Sequence, residues 1–356
     1  MRFITCASYY GTGSSAVTDY VSEFRGVDSL TNDEFRFIQD PDGIDDLRYH
    51  LVDNHNRHNA GHALKRYKKL VDFYSGNALG RKYSIWFGEQ WKSISYEYID
   101  SLVDFSYKGW WMYDLYDKGK IYYFRKRIIN YLLHKTVWKG NPDRVFNTMK
   151  HEITYCSHPT EKEFITKTKL YIEKLFSTVA SSTDSTIMVD QIVPPSNIKR
   201  YSCYFEDIKV VVVDRDPRDL YCCEKYLWKD GIIPYDDVKV FCEWYKYTRN
   251  HRLHEVYENN VLLIQFEDLI YRYESTTAQL REFLGLKESD HYRMGFVFKP
   301  EVSINNTQLW EKYPGSEKDI KYIENELNGY WYDYSTLLKE SESADNTGNR
   351  NDLDAS

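Results

Sequence analysis

The feature that most constrains this chain is an apolar run that ends abruptly in charge. Residues 210–219 read Val-Val-Val-Val-Asp-Arg-Asp-Pro-Arg-Asp. Four consecutive β-branched residues predict a central parallel strand covered on both faces, and Pro217 is placed to open a helix. Ligands of open α/β sheets bind beyond the carboxyl ends of the strands, so Arg215 and Arg218 are candidates for receiving an anion. A salt-bridged turn without a ligand is the alternative.

A second candidate anion site lies near the N-terminus. Residues 3–8 predict a strand, and apolar residues from Val17 onward recur at helical spacing. The loop between them holds the small residues Gly11, Thr12, Gly13, Ser14 and Ser15. Backbone N–H groups of such a loop, together with the helix dipole, can cradle a phosphate. The loop lacks the Lys of Gly-x-x-x-x-Gly-Lys-Ser/Thr, and an ordinary Gly-rich turn with a Ser cap is the alternative.

Composition narrows the class of protein. The 356 residues permit one large domain or two smaller ones, and the net charge of −7 argues against a general nucleic-acid binder. We expect no membrane span, because no apolar run reaches about 18 residues, and no signal peptide, because the loop begins by residue 9. Six cysteines without Cys-x-x-Cys spacing predict reduced thiols, a cytoplasmic location and no metal site.

Patterning along the chain predicts an α/β organisation. Parallel strands are expected at Phe3–Ser8, Ile187–Asp190, Lys209–Asp214 and Val261–Phe266. Helices are expected at about Asp219–Trp228, Asp236–Tyr257 and Glu274–Leu284, with Gly285 as the stop of the last one. A mainly helical stretch at about residues 60–181 is interpreted as an insertion covering the strand ends. The polar segment 339–356 is expected to be disordered.

These segments, in this order, resemble the sulfotransferases that use 3′-phosphoadenosine 5′-phosphosulfate (PAPS). The resemblance rests on Tyr10–Ser15, which is similar to the family's 5′-phosphosulfate loop, and on Arg215–Asp219, which is similar to its Arg-x-Pro-Arg-Asp stretch. Residues 190–194 and 265–286 resemble two further family stretches. The resemblance covers about residues 1–40 and 185–310. It implies a three-layer α/β/α sandwich with a central parallel sheet, like the P-loop nucleotide kinases, in a single domain over 1–338.

The resemblance also implies a binding site for the sulfuryl donor, and this chain differs from the family at two positions of that site. The implied PAPS-binding residues are Gly11, Thr12, Gly13, Ser14, Ser15, Arg215, Arg218, Cys223, Ser303 and Asn305. Many members carry Lys or Arg where this chain has Gly11, and a Ser where it has Cys223, a weak donor. Candidates for the missing loop cation are Arg36, His55, Arg57, His58 and Lys65. Lys299 is the candidate for the charge of the family's closing loop.

An acceptor hydroxyl needs a general base. Glu34 resembles the catalytic Glu of glycan sulfotransferases, with a surface carboxylate as the alternative. Asp190 and His58 compete for the same role. The alternative for Asp190 is to orient Arg215 or a loop, and the alternative for His58 is a polar helix start capped by Asn59. The 33 tyrosines and 9 tryptophans can stack on sugars or form a helical core. We therefore expect sulfuryl transfer from PAPS to a hydroxyl, with a saccharide acceptor and no metal; an ATP-dependent small-molecule kinase or a non-catalytic nucleotide-binding protein are the alternatives.

Overall fold

The computed structural model describes residues 1–76, 82–313 and 315–337. The chain divides into two compact units. The first contains Met1–Phe35, Ser181–Ser202 and Asp207–Ser356, and the second contains Arg36–Ala180 and Cys203–Glu206. The sequence predicted one domain with a helical insertion at about residues 60–181, whereas the second unit already begins at residue 36. The predicted disordered tail, 339–356, lies outside the described residues.

The strands belong to two sheets. In chain order they are β1 (Arg2–Ser8), β2 (Val27–Glu34), β3 (Phe105–Lys108), β4 (Ile153–Cys156), β5 (Thr186–Asp190), β6 (Asp207–Asp214) and β7 (Val261–Gln265). The first unit holds a parallel five-stranded sheet in the order β2-β5-β1-β6-β7, and the second holds the antiparallel pair β3-β4. The four predicted parallel strands are confirmed, and β2 is a fifth that the sequence did not indicate.

Helices make up most of the remaining regular structure. In chain order they are α1 (Ser14–Val21), α2 (Ile44–Arg48), α3 (Arg57–Ser75), α4 (Ser84–Phe87), α5 (Gln90–Leu102), α6 (Met112–Lys135), α7 (Glu161–Phe176), α8 (Ile198–Ser202), α9 (Pro217–Cys222), α10 (Val238–Arg249), α11 (Asp268–Tyr271), α12 (Tyr273–Leu284), α13 (Pro300–Ser303), α14 (Leu309–Lys312) and α15 (Glu317–Glu326). Cys223–Trp228 continues α9 as a π-helix. The helix predicted to reach Tyr257 was wrong at its end, because α10 stops at Arg249 and only a short 3₁₀ turn follows. Gly285, at φ 61°, terminates α12 as predicted.

The central sheet explains the Val run. Strand β6 lies between β1 and β7, and Val210–Val213 are 0% exposed. Successive side chains of a strand point to opposite faces, so Val211 and Val213 join Val17 of α1 in one apolar cluster. The predicted fold class, a parallel sheet flanked by helices, is confirmed. Because the strands are parallel, the carboxyl ends of β1, β5 and β6 lie at one edge of the sheet.

The second unit is built from aromatic helices. Trp91 of α5 is fully buried, packs edge-on against Phe37 at 4.7 Å, and donates from its indole N–H to the Val71 carbonyl of α3 at 3.1 Å. Tyr98 and Tyr171 stack at 4.6 Å between α5 and α7. Much of the aromatic content of this region is therefore helical core. Over the residues that the structure describes, no helix has the length and apolar character needed to cross a membrane.

Candidate functional site

The loop between β1 and α1 has an unusual backbone. Tyr10, Gly11 and Gly13 have φ values of 64°, 63° and 96°. Thr12 is fully buried, and its hydroxyl accepts from the Tyr9 N–H at 3.2 Å and donates to the Val213 carbonyl at 2.7 Å. Thr12 therefore anchors the loop to β6 from inside the protein.

Both loop glycines are required by close packing as well as by φ. A Cβ on Gly13 would lie 2.3 Å from Phe266 Cδ2, and a Cβ on Gly11 would lie 2.6 Å from Trp228 Cζ3. Gly13 is the N-cap of α1 and supplies no capping side chain. The N–H groups of Ser14 and Ser15, in the first turn, are therefore left for an anion or water.

An open cavity of about 700 Å³ lies at the carboxyl edge of the sheet, and we call it the edge cavity. The predicted site residues that line it are Gly11, Gly13, Ser14, Ser15, Glu34, Arg215, Lys299 and Ser303. The predicted site residues that do not line it are Thr12, His58, Asp190, Arg218, Cys223 and Asn305. The two sequence segments that first indicated an anion site therefore meet in one place.

Arg215 is the buried cation of the edge cavity and is 3% exposed. Its Nη1 donates to the Gly11 carbonyl at 3.0 Å, and its Nη2 donates to the Asn306 carbonyl at 2.5 Å and to Cys223 Sγ at 3.1 Å. Its Nε is buried and has no hydrogen-bond partner within the described ranges. A buried donor without a partner in a folded protein calls for an explanation such as an ordered water or a bound ion. Arg215 thus joins the glycine loop to residue 306, and its Nε–H group is left without a hydrogen-bond partner.

Cys223 supports Arg215 and does not reach the cavity. Burial raises the pKa of the Cys223 thiol, although the neighbouring Arg215 opposes this. The group therefore stays a neutral thiol that accepts a hydrogen bond from the guanidinium. It sits behind Arg215, where the resemblance implied a direct hydroxyl ligand.

Arg218 is engaged elsewhere. Its guanidinium donates to Asp216 at 2.6 Å, to Glu324 at 2.9 Å and to the Tyr332 carbonyl at 3.0 Å. It also lies 4.0 Å from the centre of the Trp310 ring. The salt-bridged turn considered for this segment is what the structure contains at Arg218. Of the two arginines, Arg215 is therefore the one placed to meet an anion in the edge cavity.

Two of the candidate bases lie side by side. Parallel pairing of β2 with β5 puts Glu34 opposite Asp190 across a bulge. Asp190 is 9% exposed and accepts from Ser14 Oγ at 2.9 Å, whereas Glu34 lines the edge cavity. Glu34 therefore faces the space in which a ligand would lie, and Asp190 orients the first turn of α1.

His58, the third candidate base, lies in the second unit. Its ring stacks on Trp111 at 3.7 Å with an interplanar angle of 2° and lines a separate cavity there. The helix start is capped by Asn56, not by Asn59 as predicted. All the candidates for the missing loop cation belong to this unit as well: Arg36, His55, Arg57, His58 and Lys65.

Sequence reasoning missed part of the edge cavity wall. Trp228, Glu224, Asp230 and Asp19 all line it. Glu224 is 0% exposed, its Oε1 accepts from the Gly231 N–H at 2.7 Å, and burial raises its pKa. Asp19, Glu224 and Trp228 lie on helices and Asp230 lies in the loop that follows, and their positions in the sequence have no recognisable spacing. The sequence offered only the Trp at the end of a predicted helix as a signal. The structure leaves the Trp228 side chain 46% exposed, which is uncommon for Trp.

A buried ion network fixes the turn after β6. Asp214 pairs with Arg249 at 2.7 Å and with Arg252 at 2.8 Å. Burial opposes ionisation of Asp214, but the two guanidinium groups hold its pKa below the usual value. Arg252 also donates to the Tyr9 hydroxyl at 3.0 Å. The start of the glycine loop and the end of β6 are thereby tied to one charge cluster.

Another buried carboxylate fixes the segment that carries Lys299. Glu23 is 0% exposed and accepts from the N–H groups of Val297 at 2.7 Å and Phe298 at 3.0 Å. Its Oε2 also contacts His291 Nε2 at 2.6 Å. Lys299 follows directly, is exposed, and lines the edge cavity. It is a second cation on the wall besides Arg215.

Comparisons with known proteins add little to this geometry. No family model matches the chain, and no curated protein matches it. The solved structures that match include a retinol dehydratase in complex with androsterone and the inactive cofactor PAP. It has a TM-score of 0.35 and 13% sequence identity, over 94% of this chain and 83% of that one. At this TM-score the likeness carries no argument about function. Among the described residues, no cluster of His, Cys, Asp or Glu is suited to a metal ion.

Proposed function

We propose that this protein is a PAPS-dependent sulfotransferase that acts on a hydroxyl group, with a carbohydrate as acceptor. The observation that carries the proposal is the environment of Arg215. A guanidinium that is 3% exposed, bonded to the glycine loop and left with an unpartnered Nε–H is suited to a phosphate ester. Its position at the carboxyl edge of a parallel sheet is where α/β proteins bind ligands.

The donor fits the edge cavity in size and in chemistry. A volume of about 700 Å³ lies within the usual range of roughly 300–1,000 Å³ for ligand sites. PAPS supplies a sulfuryl group attached to a phosphate. We assign the N–H groups of the loop and of Ser14 and Ser15 to that end, and Arg215 to the 3′-phosphate. Lys299 supplies further positive charge, and the exposed ring of Trp228 offers a surface on which a base can stack.

The acceptor hydroxyl must lose a proton, and of the two candidate carboxylates Glu34 is the better placed to take it. Its side chain lines the edge cavity, whereas Asp190 is committed to Ser14. We therefore assign Glu34 as the general base and Asp190 as the residue that orients the loop.

The saccharide assignment rests on the second unit. A cavity of about 20 Å³ there is lined by His58 and Trp111, which stack on each other, and Arg57 lies 5.4 Å from the same indole ring. The cavity has room for about one water molecule, so we assign the sugar ring to the exposed surface of Trp111, which is 40% exposed and lies beside these hydrogen-bond donors. An aromatic alcohol would also stack there, so a panel of acceptors has to separate the two.

A kinase is the second candidate, and one observation favours it. Four carboxylates line the edge cavity, those of Asp19, Glu34, Glu224 and Asp230. A magnesium nucleotide would profit from them, whereas the several negative charges of PAPS would be repelled. Burial of Glu224 raises its pKa and so reduces that repulsion. The absence of a loop Lys in the sequence counts against a kinase.

Ligand-induced stabilisation separates these functions. Adenosine 3′,5′-bisphosphate at about 100 times its dissociation constant should stabilise the protein by about 2.7 kcal/mol. Stabilisation by the bisphosphate, followed by transfer of labelled sulfate to a saccharide, supports the proposal. A shift with ATP and Mg²⁺ only would favour the kinase. Bisphosphate binding without transfer to any hydroxyl acceptor would indicate a non-catalytic nucleotide-binding protein.

The base assignment has its own test once an acceptor is known. Glu34→Gln should abolish turnover while bisphosphate affinity stays unchanged. Asp190→Asn should weaken donor binding, because it alters the partner of Ser14. Glu258→Gln is the matched control, since this carboxylate pairs with Lys199 at 2.8 Å and does not line the edge cavity. Full turnover in Glu34→Gln would overturn the assignment.

A further inference from the structure

One stretch of this acidic protein is strongly basic. Residues 105–150 contain ten Lys or Arg and three Asp, whereas the whole chain has a net charge of −7. The same stretch contains helix α6 and much of the exposed apolar surface of the second unit. Charge and apolar surface of this kind occur together at interaction sites.

One apolar face of helix α6 is exposed to solvent. The helix breaks at Gly119, at φ 80° and ψ 176°, and continues to Lys135. After the break, large apolar residues recur every three or four positions, which places them on one face. Their exposed fractions are 77% for Ile121, 57% for Phe124, 59% for Ile128, 63% for Tyr131 and 55% for Leu132. Residues on the opposite side of the helix are half-buried: Tyr122, Lys126, Ile129, Asn130 and Leu133. The helix is therefore packed on one side and apolar on the other.

Unpaired cations border this α6 face. Lys120, Arg125, Arg127 and Lys135 are exposed, and in the described part of the chain none of them forms an ion pair with a carboxylate. Arg127 lies 5.8 Å from the ring of Tyr123, and Lys135 lies 5.7 Å from the ring of Tyr131. Long basic side chains beside an apolar stripe can reach phosphate groups while their stems stay in apolar surroundings.

We propose that the α6 face binds an anionic membrane surface. An amphipathic helix rich in Lys and Arg, with large apolar residues on the other side, lies in the plane of the lipid headgroups. Anionic lipids complement the four cations, and the acyl region receives the apolar side chains. A nucleic acid or an acidic polysaccharide would satisfy the charges but would leave the apolar face in water. The segment from Lys120 to Lys135 is about 24 Å long at 1.5 Å per residue, too short to cross a hydrocarbon core of about 30 Å. This proposal does not depend on the proposed function.

Vesicle sedimentation of the full chain tests the proposal. We expect binding to vesicles of phosphatidylcholine and phosphatidylglycerol, weak binding to phosphatidylcholine alone, and a decrease with added salt. The double variant Ile121→Ser/Phe124→Ser should bind about 100-fold more weakly, since each side chain loses about tenfold or more. Lys120→Ser/Arg125→Ser should bind about 25-fold more weakly, at about fivefold for each charge.

A matched control uses exposed apolar residues elsewhere in the second unit. Ile85 and Leu170 are 71% and 61% exposed, and Ile85→Ser/Leu170→Ser should bind like the wild type. The proposal is overturned if the wild type ignores anionic vesicles or if the control loses as much binding as the variants of the α6 face. A wild-type dimer that ignores vesicles and becomes monomeric in the Ile121/Phe124 variant would assign the face to a second copy of the chain, and would also overturn it. Unchanged unfolding temperatures of the variants exclude misfolding as the cause.

Discussion

Replacing Gly13 by Ala tests whether the glycine loop is held as closely as the structure indicates. The φ of 96° is a conformation that costs a non-glycine residue about 1–2 kcal/mol. The new Cβ would also lie 2.3 Å from Phe266 Cδ2, and overpacking of this kind costs about 1–3 kcal/mol. Gly13→Ala should therefore destabilise the protein by about 2–5 kcal/mol in urea unfolding, and it should weaken binding of adenosine 3′,5′-bisphosphate.

A matched glycine separates the two contributions. Gly26 has φ 77°, and nothing lies within 4 Å of a Cβ built on it, so Gly26→Ala should show only the backbone contribution of about 1–2 kcal/mol. In a Phe266→Leu background the additional cost of Gly13→Ala should shrink, since neighbouring substitutions couple by about 0.5–3 kcal/mol. Equal destabilisation by the two glycine substitutions, with no coupling to Phe266, would refute the packing argument.

Three further predictions concern the buried polar groups around the loop. Arg249→Gln should destabilise the protein by about 3–5 kcal/mol, because it removes a partner of the buried Asp214; Lys174→Gln, at an exposed pair, should change urea stability by less than about 1 kcal/mol. Thr12→Val should cost about 1–3 kcal/mol in the same assay, since two backbone partners lose their hydrogen bonds; a neutral effect would contradict the anchoring role. Burial raises the pKa of Asp219 from 3.8 to about 7. The folded state then binds the proton more tightly than the unfolded state, so stability should fall as pH rises from 4 to 7. Asp219→Asn should lessen that fall, and identical pH profiles of unfolding would contradict the assignment.

The sheet was largely predictable because buried parallel strands have a strong sequence signature. The apolar run Val210–Val213 predicted a strand covered on both faces, as the structure has it. The polar residues after the predicted strands indicated the edge of the sheet at which a ligand would bind. Strand β2 was missed because it lies at the edge of the sheet and pairs only with β5. An edge strand is not buried on both faces, so Val27 and Leu30 are its only apolar residues. Glu34 was proposed without knowledge of the strand that places it.

The sequence could not predict that Arg215 lines the edge cavity while Arg218 is held in ion pairs. Arg215 and Arg218 are three residues apart and look equivalent in the sequence. Two hydrogen-bond partners of Arg218, Glu324 and the Tyr332 carbonyl, lie more than 100 positions away along the chain. The same limit applies to the cations considered for the missing loop charge. Lys299 was considered for the closing loop, and its position on the edge cavity depends on the contacts of Glu23. Contacts of long sequence separation decide which charges face a ligand.

Calorimetric titration with adenosine 3′,5′-bisphosphate tests the central claim most directly. We predict that the wild type binds the bisphosphate and that Arg215→Gln loses about 1.5–3 kcal/mol of binding free energy, as for hydrogen bonds to charged groups. This loss corresponds to a dissociation constant that is higher by about 10- to 150-fold. Arg272→Gln, at a partly exposed pair with Asp268, is the control and should bind like the wild type. An Arg215→Gln protein that is folded and binds the bisphosphate with unchanged affinity would contradict the account, as would a wild type that binds only ATP with Mg²⁺.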